Sequence, residues 1–137
     1  MINSYTTTTQ TLTPNALVIF ADDKIKTGCT VTHAAGSTTF TLNKPGYYFI
    51  TFNADATTAD AAGNVTLGLY QNGTSILGAE ATHYAAAAVN IGNMAFSAIV
   101  QVRPSCCAVS NTTNLTVVNT GVEATVTNAN IVITKLA

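Results

Sequence analysis

The chain has 137 residues, enough for one domain with a sizeable core; 47% are hydrophobic and only 8% are charged, against roughly 25% charged in an ordinary soluble domain. That hydrophobic content excludes a disordered segment. The formal net charge of −1 and the scattered cations Lys24, Lys26, Lys44, Arg103 and Lys135 exclude a phosphate-tracking nucleic-acid surface, and no basic amphipathic stretch or unbroken apolar run points to a membrane.

The opening segment, Met1–Pro14, is rich in threonine. It reads as an arm or linker ahead of a domain spanning residues 15–137. It has neither the basic start nor the apolar core of a secretory signal, which sets the expectation of synthesis and folding in the cytosol. Ala16–Phe20 is an apolar run of strand length, and Asp22-Asp23-Lys24 reads as a turn. Short strands are expected over Cys29–His33 and Thr38–Leu42, parted by Ala35-Gly36-Ser37. Lys44-Pro45-Gly46 is a turn: proline presets one dihedral and glycine accepts a positive φ.

A long strand follows over Tyr47–Ala56. Tyr48, Ile50 and Phe52 fall on one face and Tyr47, Phe49 and Thr51 on the other. Aromatics on both faces predict cover on both sides, one from the core and one from a neighbour. The Asp60–Asn64 loop leads to a strand at Val65–Tyr70. Asn72-Gly73 then marks a tight hairpin, because that pair suits the primed turns that strand twist favours. Ser75–Thr82 is the return strand. Ala85–Ala88 is too short for an independent helix. Met94–Val102 is a long strand ending at Arg103-Pro104. The last two strands are Leu115–Asn119 and Glu123–Leu136, with a turn at Gly121 and a bulge near Asn128–Asn130. Eight to ten strands without a helix predict an all-β sandwich or barrel.

Two stretches, Lys44-Pro-Gly-Tyr-Tyr-Phe-Ile-Thr-Phe52 and Val65-Thr-Leu-Gly-Leu-Tyr-Gln-Asn-Gly73, resemble the C1q/TNF-like jelly-roll superfamily. A Pro-Gly-x-Tyr-x-Phe-type strand there precedes an alternating strand ending in an Asn-Gly hairpin, and Thr39–Leu42 fits the strand before it. The abundance of Ala, Thr and Asn is similar to that of microbial and phage members. The ending Asn130–Ala137 departs from the aromatic, glycine-containing last strand usual in the vertebrate branch. The resemblance implies an antiparallel jelly-roll β-sandwich that forms a trimer with aromatic residues near its three-fold axis. Tyr47, Tyr48, Phe49 and Phe52 are the expected trimer contacts.

Candidate chemistry is sparse. The only histidines are His33 and His83. Glu80 precedes His83 by three positions, which on a strand places the two on opposite faces. No nucleophile–base pair is expected, and no catalytic residue, cofactor or metal is assigned. Asp55, Asp60 and Asn64 carry oxygen ligands, but in a spacing that matches no calcium loop. Cys29, Cys106 and the adjacent Cys107 read as buried free thiols rather than a disulfide framework.

So little charge leaves a neutral, adhesive surface, which is expected to be buried against copies of the chain or a partner. The expected function is that of a non-enzymatic structural protein: a homotrimeric decoration or fibre-head subunit on the surface of a phage virion. Other virion proteins such as the capsid protein would be its partners, and Tyr5, Leu12 and Pro14 of the opening segment the docking residues. The alternative is a bacterial surface or spore-coat module that binds a receptor or carbohydrate through loop residues such as Tyr84, Asn90 and Asn111.

Overall fold

The computed structural model describes residues 1–106 and 112–137. Among the described residues eleven strands are present: β1 (Ile2–Thr6), β2 (Gln10–Leu12), β3 (Asp22–Lys26), β4 (Val31–Thr32), β5 (Phe40–Leu42), β6 (Gly46–Thr58), β7 (Gly63–Gln71), β8 (Thr74–Ala85), β9 (Gly92–Val102), β10 (Thr113–Asn119) and β11 (Ala124–Lys135). They form two sheets. The first runs β3-β1-β11-β6-β9, with β2 also paired to β11, and the second runs β4-β5-β10-β7-β8. Every pairing is antiparallel. From β5 onward the chain crosses between sheets at each connection except the β7–β8 hairpin, the route of a jelly roll.

Strand periodicity builds the core. On β6, Tyr48, Ile50, Phe52 and Ala54 point inward and are buried, and Leu67 and Leu69 of β7, Val117 of β10 and Ile131 and Ile133 of β11 meet them. Phe20 and Phe40 meet edge to face at 5.2 Å, and Phe52 stacks on Phe96 at 5.0 Å, arrangements that satisfy the ring quadrupoles. The hairpin lies where the Asn-Gly pair predicts it, with φ of 49° at Asn72 and 80° at Gly73.

Four expectations are corrected. Residues 1–14 are part of the sandwich: β1 and β2 lie end to end along one edge of β11, and Ile2 and Leu12 are buried in the core. Asp22–Lys24 belongs to edge strand β3, which pairs with β1. Ala16–Phe20 is apolar because Val18 and Phe20 enter the core, but its one ladder contact is the Leu17–Val118 bridge. Cys29 and Cys106 are exposed rather than buried; both sit in connections, where no second layer covers them. Cys107 and Asn111 lie outside the described residues.

Candidate functional site

Two clusters and one face gather the polar and exposed apolar side chains. The first cluster is buried where β1, β3 and the segment after β4 converge. Asp23 Oδ1 accepts from Ser4 Oγ at 2.5 Å and from His33 Nδ1 at 2.6 Å, while Oδ2 lies 3.6 Å from Lys26 Nζ. His33 Nε2 is 3.0 Å from the Ser37 carbonyl, and its ring stacks on Phe40 at 4.2 Å. Burial pushes the Asp23 carboxyl upward. The hydrogen bonds from Ser4 and His33, with the charges of His33 and Lys26, outweigh it and hold the group below its ordinary value.

A serine, a histidine and an aspartate meet here, but the order is not that of a nucleophile relay. The serine hydroxyl donates to the carboxylate, and the outer ring nitrogen is occupied by a backbone carbonyl. The cluster ties the two sheets together. At the other histidine, His83 Nε2 contacts the Asn90 carbonyl at 2.8 Å. Glu80 opposes Gly68 and His83 opposes Val65, on opposite faces of β8.

The second cluster is a row of carboxamides on the outer face of the first sheet. Asn3 Nδ2 donates to Asn130 Oδ1 at 2.7 Å, and Asn130 Nδ2 points to Asn53 Oδ1 at 3.4 Å. Asp55 accepts from Asn93 at 3.0 Å and from Asn128 at 3.2 Å, bonds that hold its carboxyl below the usual range. Asp55 therefore serves this row, whereas Asp60 and Asn64 are exposed around the start of β7. No group of three or more His, Cys, Asp or Glu side chains able to hold a metal occurs among the described residues.

The exposed apolar face lies on the same sheet, at the other end of β6. Tyr47 and Phe49 point outward, Phe49 opposes Ile99 of β9, and Tyr47 opposes Gln101, whose Nε2 donates to the tyrosine hydroxyl at 3.2 Å. Ile99 is 62% exposed. Beside this face runs β8, the edge of the second sheet. A register shift against β7, with Gly78 at a φ of +84°, throws out Leu77, which is 94% exposed. Tyr84, Val89 and Ile91 are also exposed around the end of β8 and the connection to β9.

Of the four expected contact aromatics, the structure leaves two available. Tyr48 and Phe52 are buried in the protomer's own core, and the Tyr48 hydroxyl donates to the Lys44 carbonyl at 2.6 Å. Alternation along β6 leaves Tyr47 and Phe49 outside. Of the docking residues, Leu12 is buried, Tyr5 is half-buried on β1 and Pro14 is exposed in a turn. The bulge on edge strand β8 exposes Leu77, which no local spacing encodes, whereas Ile99 faces outward by the ordinary alternation of β9. Tyr84, on β8, and Asn90, in the β8–β9 connection, are both exposed.

No protein-family model matches the sequence, and no curated protein does. The fold is nevertheless shared with solved structures. The chain is similar to the Eiger TNF of S. frugiperda, with a TM-score of 0.72 and 11% identity over 99% of this chain and 92% of that one. It is similar to murine APRIL, with a TM-score of 0.62 and 9% identity over 98% and 99%. It is similar also to the PRD1 vertex protein P5, with a TM-score of 0.59 and 15% identity over 99% and 96%. The fold is a C1q/TNF-like jelly roll.

Proposed function

We propose that the chain is a non-enzymatic structural subunit of a phage virion surface, a homotrimeric decoration or fibre-head protein. One observation carries this reading. A chain with 8% charged residues presents an apolar face at Tyr47, Phe49 and Ile99 and, on the neighbouring edge strand β8 of the second sheet, the projecting Leu77. Two unlike patches make a heterologous contact, which closes into a ring when the rotation per subunit divides a full turn. The trimer implied by the jelly-roll resemblance is such a ring, with Leu77 of one copy against Phe49 and Ile99 of the next. The likeness to the PRD1 vertex protein P5 supports a place on a particle.

The capsid protein is the proposed partner. Pro14 is the exposed member of the three docking residues, so a Pro14 substitution tests docking without removing β1 and β2. Light scattering across a roughly hundredfold dilution into the micromolar range, where specific contacts persist, tests the assembly. The expected result is a persistent trimer that Leu77→Asp and Phe49→Asp each dissociate while strand content is retained. A monomer at every concentration refutes the assembly. Absence of the chain from purified particles refutes the virion role.

A further inference from the structure

We propose that the hollow between β1, β3 and the bulge of β11 is a binding site for a neutral saccharide. The hollow has a volume of about 480 Å³, and Tyr5, Asn3, Asn128, Asn130, Thr7 and Lys24 form its walls. It lies on the outer face of the first sheet, on the β1–β3 side. The Tyr47–Phe49–Ile99 face lies on the β6–β9 side, and β11 runs between β1 and β6. Closing a ring through β6, β8 and β9 therefore leaves the hollow open.

The bulge shapes the site. Thr127 pairs with Asp55, the next paired position is Asn130 with Asn53, and Asn128 takes a φ of +54° between them. Two residues thus oppose one, and the outward-facing set shifts by a position. Asn128 and Asn130 both line the hollow, while Ala129 between them is buried. Bulges re-aim side chains and are enriched at sheet edges, barrel rims and beside functional sites. Asparagine tolerates this left-handed backbone at modest cost.

The lining chemistry selects the ligand class. Each carboxamide offers both donors and an acceptor, as does each threonine hydroxyl, and sugar hydroxyls need both. Asn3 and Asn130 hold one another by the 2.7 Å bond, and Asn128 is held by Asp55. These groups are therefore set in position before a ligand arrives, which lowers the cost of ordering them. Tyr5 adds an aromatic wall. The electron-rich ring face attracts the slightly positive C–H edge of a pyranose. Lys24 is the hollow's one charged lining residue, and the Asp22 carboxylate stands beside the wall, paired with Tyr5 across the β1–β3 ladder. An anionic ligand therefore gains no clear advantage, and a neutral sugar is favoured over phosphate.

The test uses the full chain in its native assembly. An array of neutral di- to tetrasaccharides of glucose, galactose, mannose and N-acetylglucosamine identifies the best probe, which is then titrated by two-dimensional amide NMR. The expected result is binding at roughly millimolar Kd or tighter, with shifts confined to Asn3–Thr7 and the 127–130 bulge. Tyr5→Ala should weaken binding about tenfold, whereas Tyr5→Phe should stay within about twofold, because the ring face and not the hydroxyl is used. Asn128→Gly should weaken it several-fold, since glycine accepts the positive φ and only the carboxamide is lost. Unchanged amide spectra of both variants outside the site show that they fold.

Three results overturn the proposal: no shift with any probe at about 10 mM, a concentration that would populate even a weak site; equal affinity in wild type, Tyr5→Ala and Asn128→Gly; or inorganic phosphate outcompeting every neutral sugar. A chain that is monomeric yet binds the sugar at this site upholds the proposal and refutes the assembly.

Discussion

Replacing Asp23 with alanine tests the buried cluster as the tie between the sheets. The Asp23 side chain is 12% exposed and the His33 side chain fully buried, and Ser4 is fully buried as well. Asp23→Ala leaves the Ser4 hydroxyl and the His33 Nδ1 without their acceptor. A buried polar group deprived of its partner costs about 1–3 kcal/mol, and two such groups are left here. The sum for the two, taken toward the middle of that range, is about 3–5 kcal/mol. For a chain of this size each kcal/mol moves the melting temperature by roughly 3–5 °C, so a fall of about 10–20 °C is expected. Urea unfolding should show a lower midpoint with an unchanged slope. Asp23→Asn keeps a side-chain oxygen toward Ser4 or His33 and should cost about half as much. Asp22, exposed on the same strand, is the control: Asp22→Ala should stay within about 0.5 kcal/mol. If Asp23→Ala and Asp22→Ala unfold at the same urea concentration, the cluster does not tie the sheets.

Because the folded Asp23 carboxyl titrates below its unfolded value, its stabilisation is complete above about pH 4. That stabilisation is lost as the pH falls toward the folded value, and Asp55 acts in the same direction. Urea midpoints between roughly pH 5 and pH 2 should therefore drop, and Asp23→Asn should flatten that drop. Phe52→Ala, in the core, should lower the unfolding free energy by about 3–5 kcal/mol in the same assay. Phe49→Ala, on the outer face of the same strand, should keep the strand circular-dichroism signal and show instead as a lower mass on dilution. Asn119 is buried, donates to the Leu12 and Val122 carbonyls at 3.0 and 2.8 Å, and accepts from the Gly121 amide at 3.1 Å. Asn119→Ala should cost about 2–3 kcal/mol in thermal melts, and Asn119→Asp should cost more, because it aims an oxygen at two carbonyls.

Where a strand is long and one face is buried, its sequence carries its structure. Alternation over residues 47–56 separates Tyr48 and Phe52 from Tyr47 and Phe49, the Asn72-Gly73 pair marks its turn, and the Asn128–Asn130 bulge falls where expected. The signal fails at the edges. Asp22–Lys26 is a strand with almost no buried face, and an edge strand keeps charges that resemble a turn. Ile2–Thr6 hides because its inward positions after Ile2 are the small hydroxyl residues Ser4 and Thr6, and Ser4 is bonded into the polar cluster. Ala16–Phe20 misleads in the opposite sense, since side-chain burial rather than ladder pairing explains its apolar run. The Asp23–His33 contact brings together a carboxylate and an imidazole ten residues apart, each set by a different sheet edge. No local spacing encodes a meeting of that kind.

The scarcity of charge has a structural counterpart in how the exposed polar groups are arranged. Thr66 and Thr82 share a hydrogen bond across β7 and β8, Thr41 donates to Asn114 across β5 and β10, and Thr9 meets Thr127. The carboxamide row from Asn3 to Asn53 extends this pattern over three strands. An ionised surface group loses several kcal/mol of hydration when it is buried against a partner. A hydroxyl or amide already bonded to its neighbour has much less to lose. The outer faces are thus polar enough to stay hydrated in a free protomer and cheap enough to desolvate on contact. Lysine or glutamate at these strand positions would keep the first property and remove the second, so the Thr- and Asn-rich composition favours a chain whose outer faces are covered, some by a neighbour and others by a ligand.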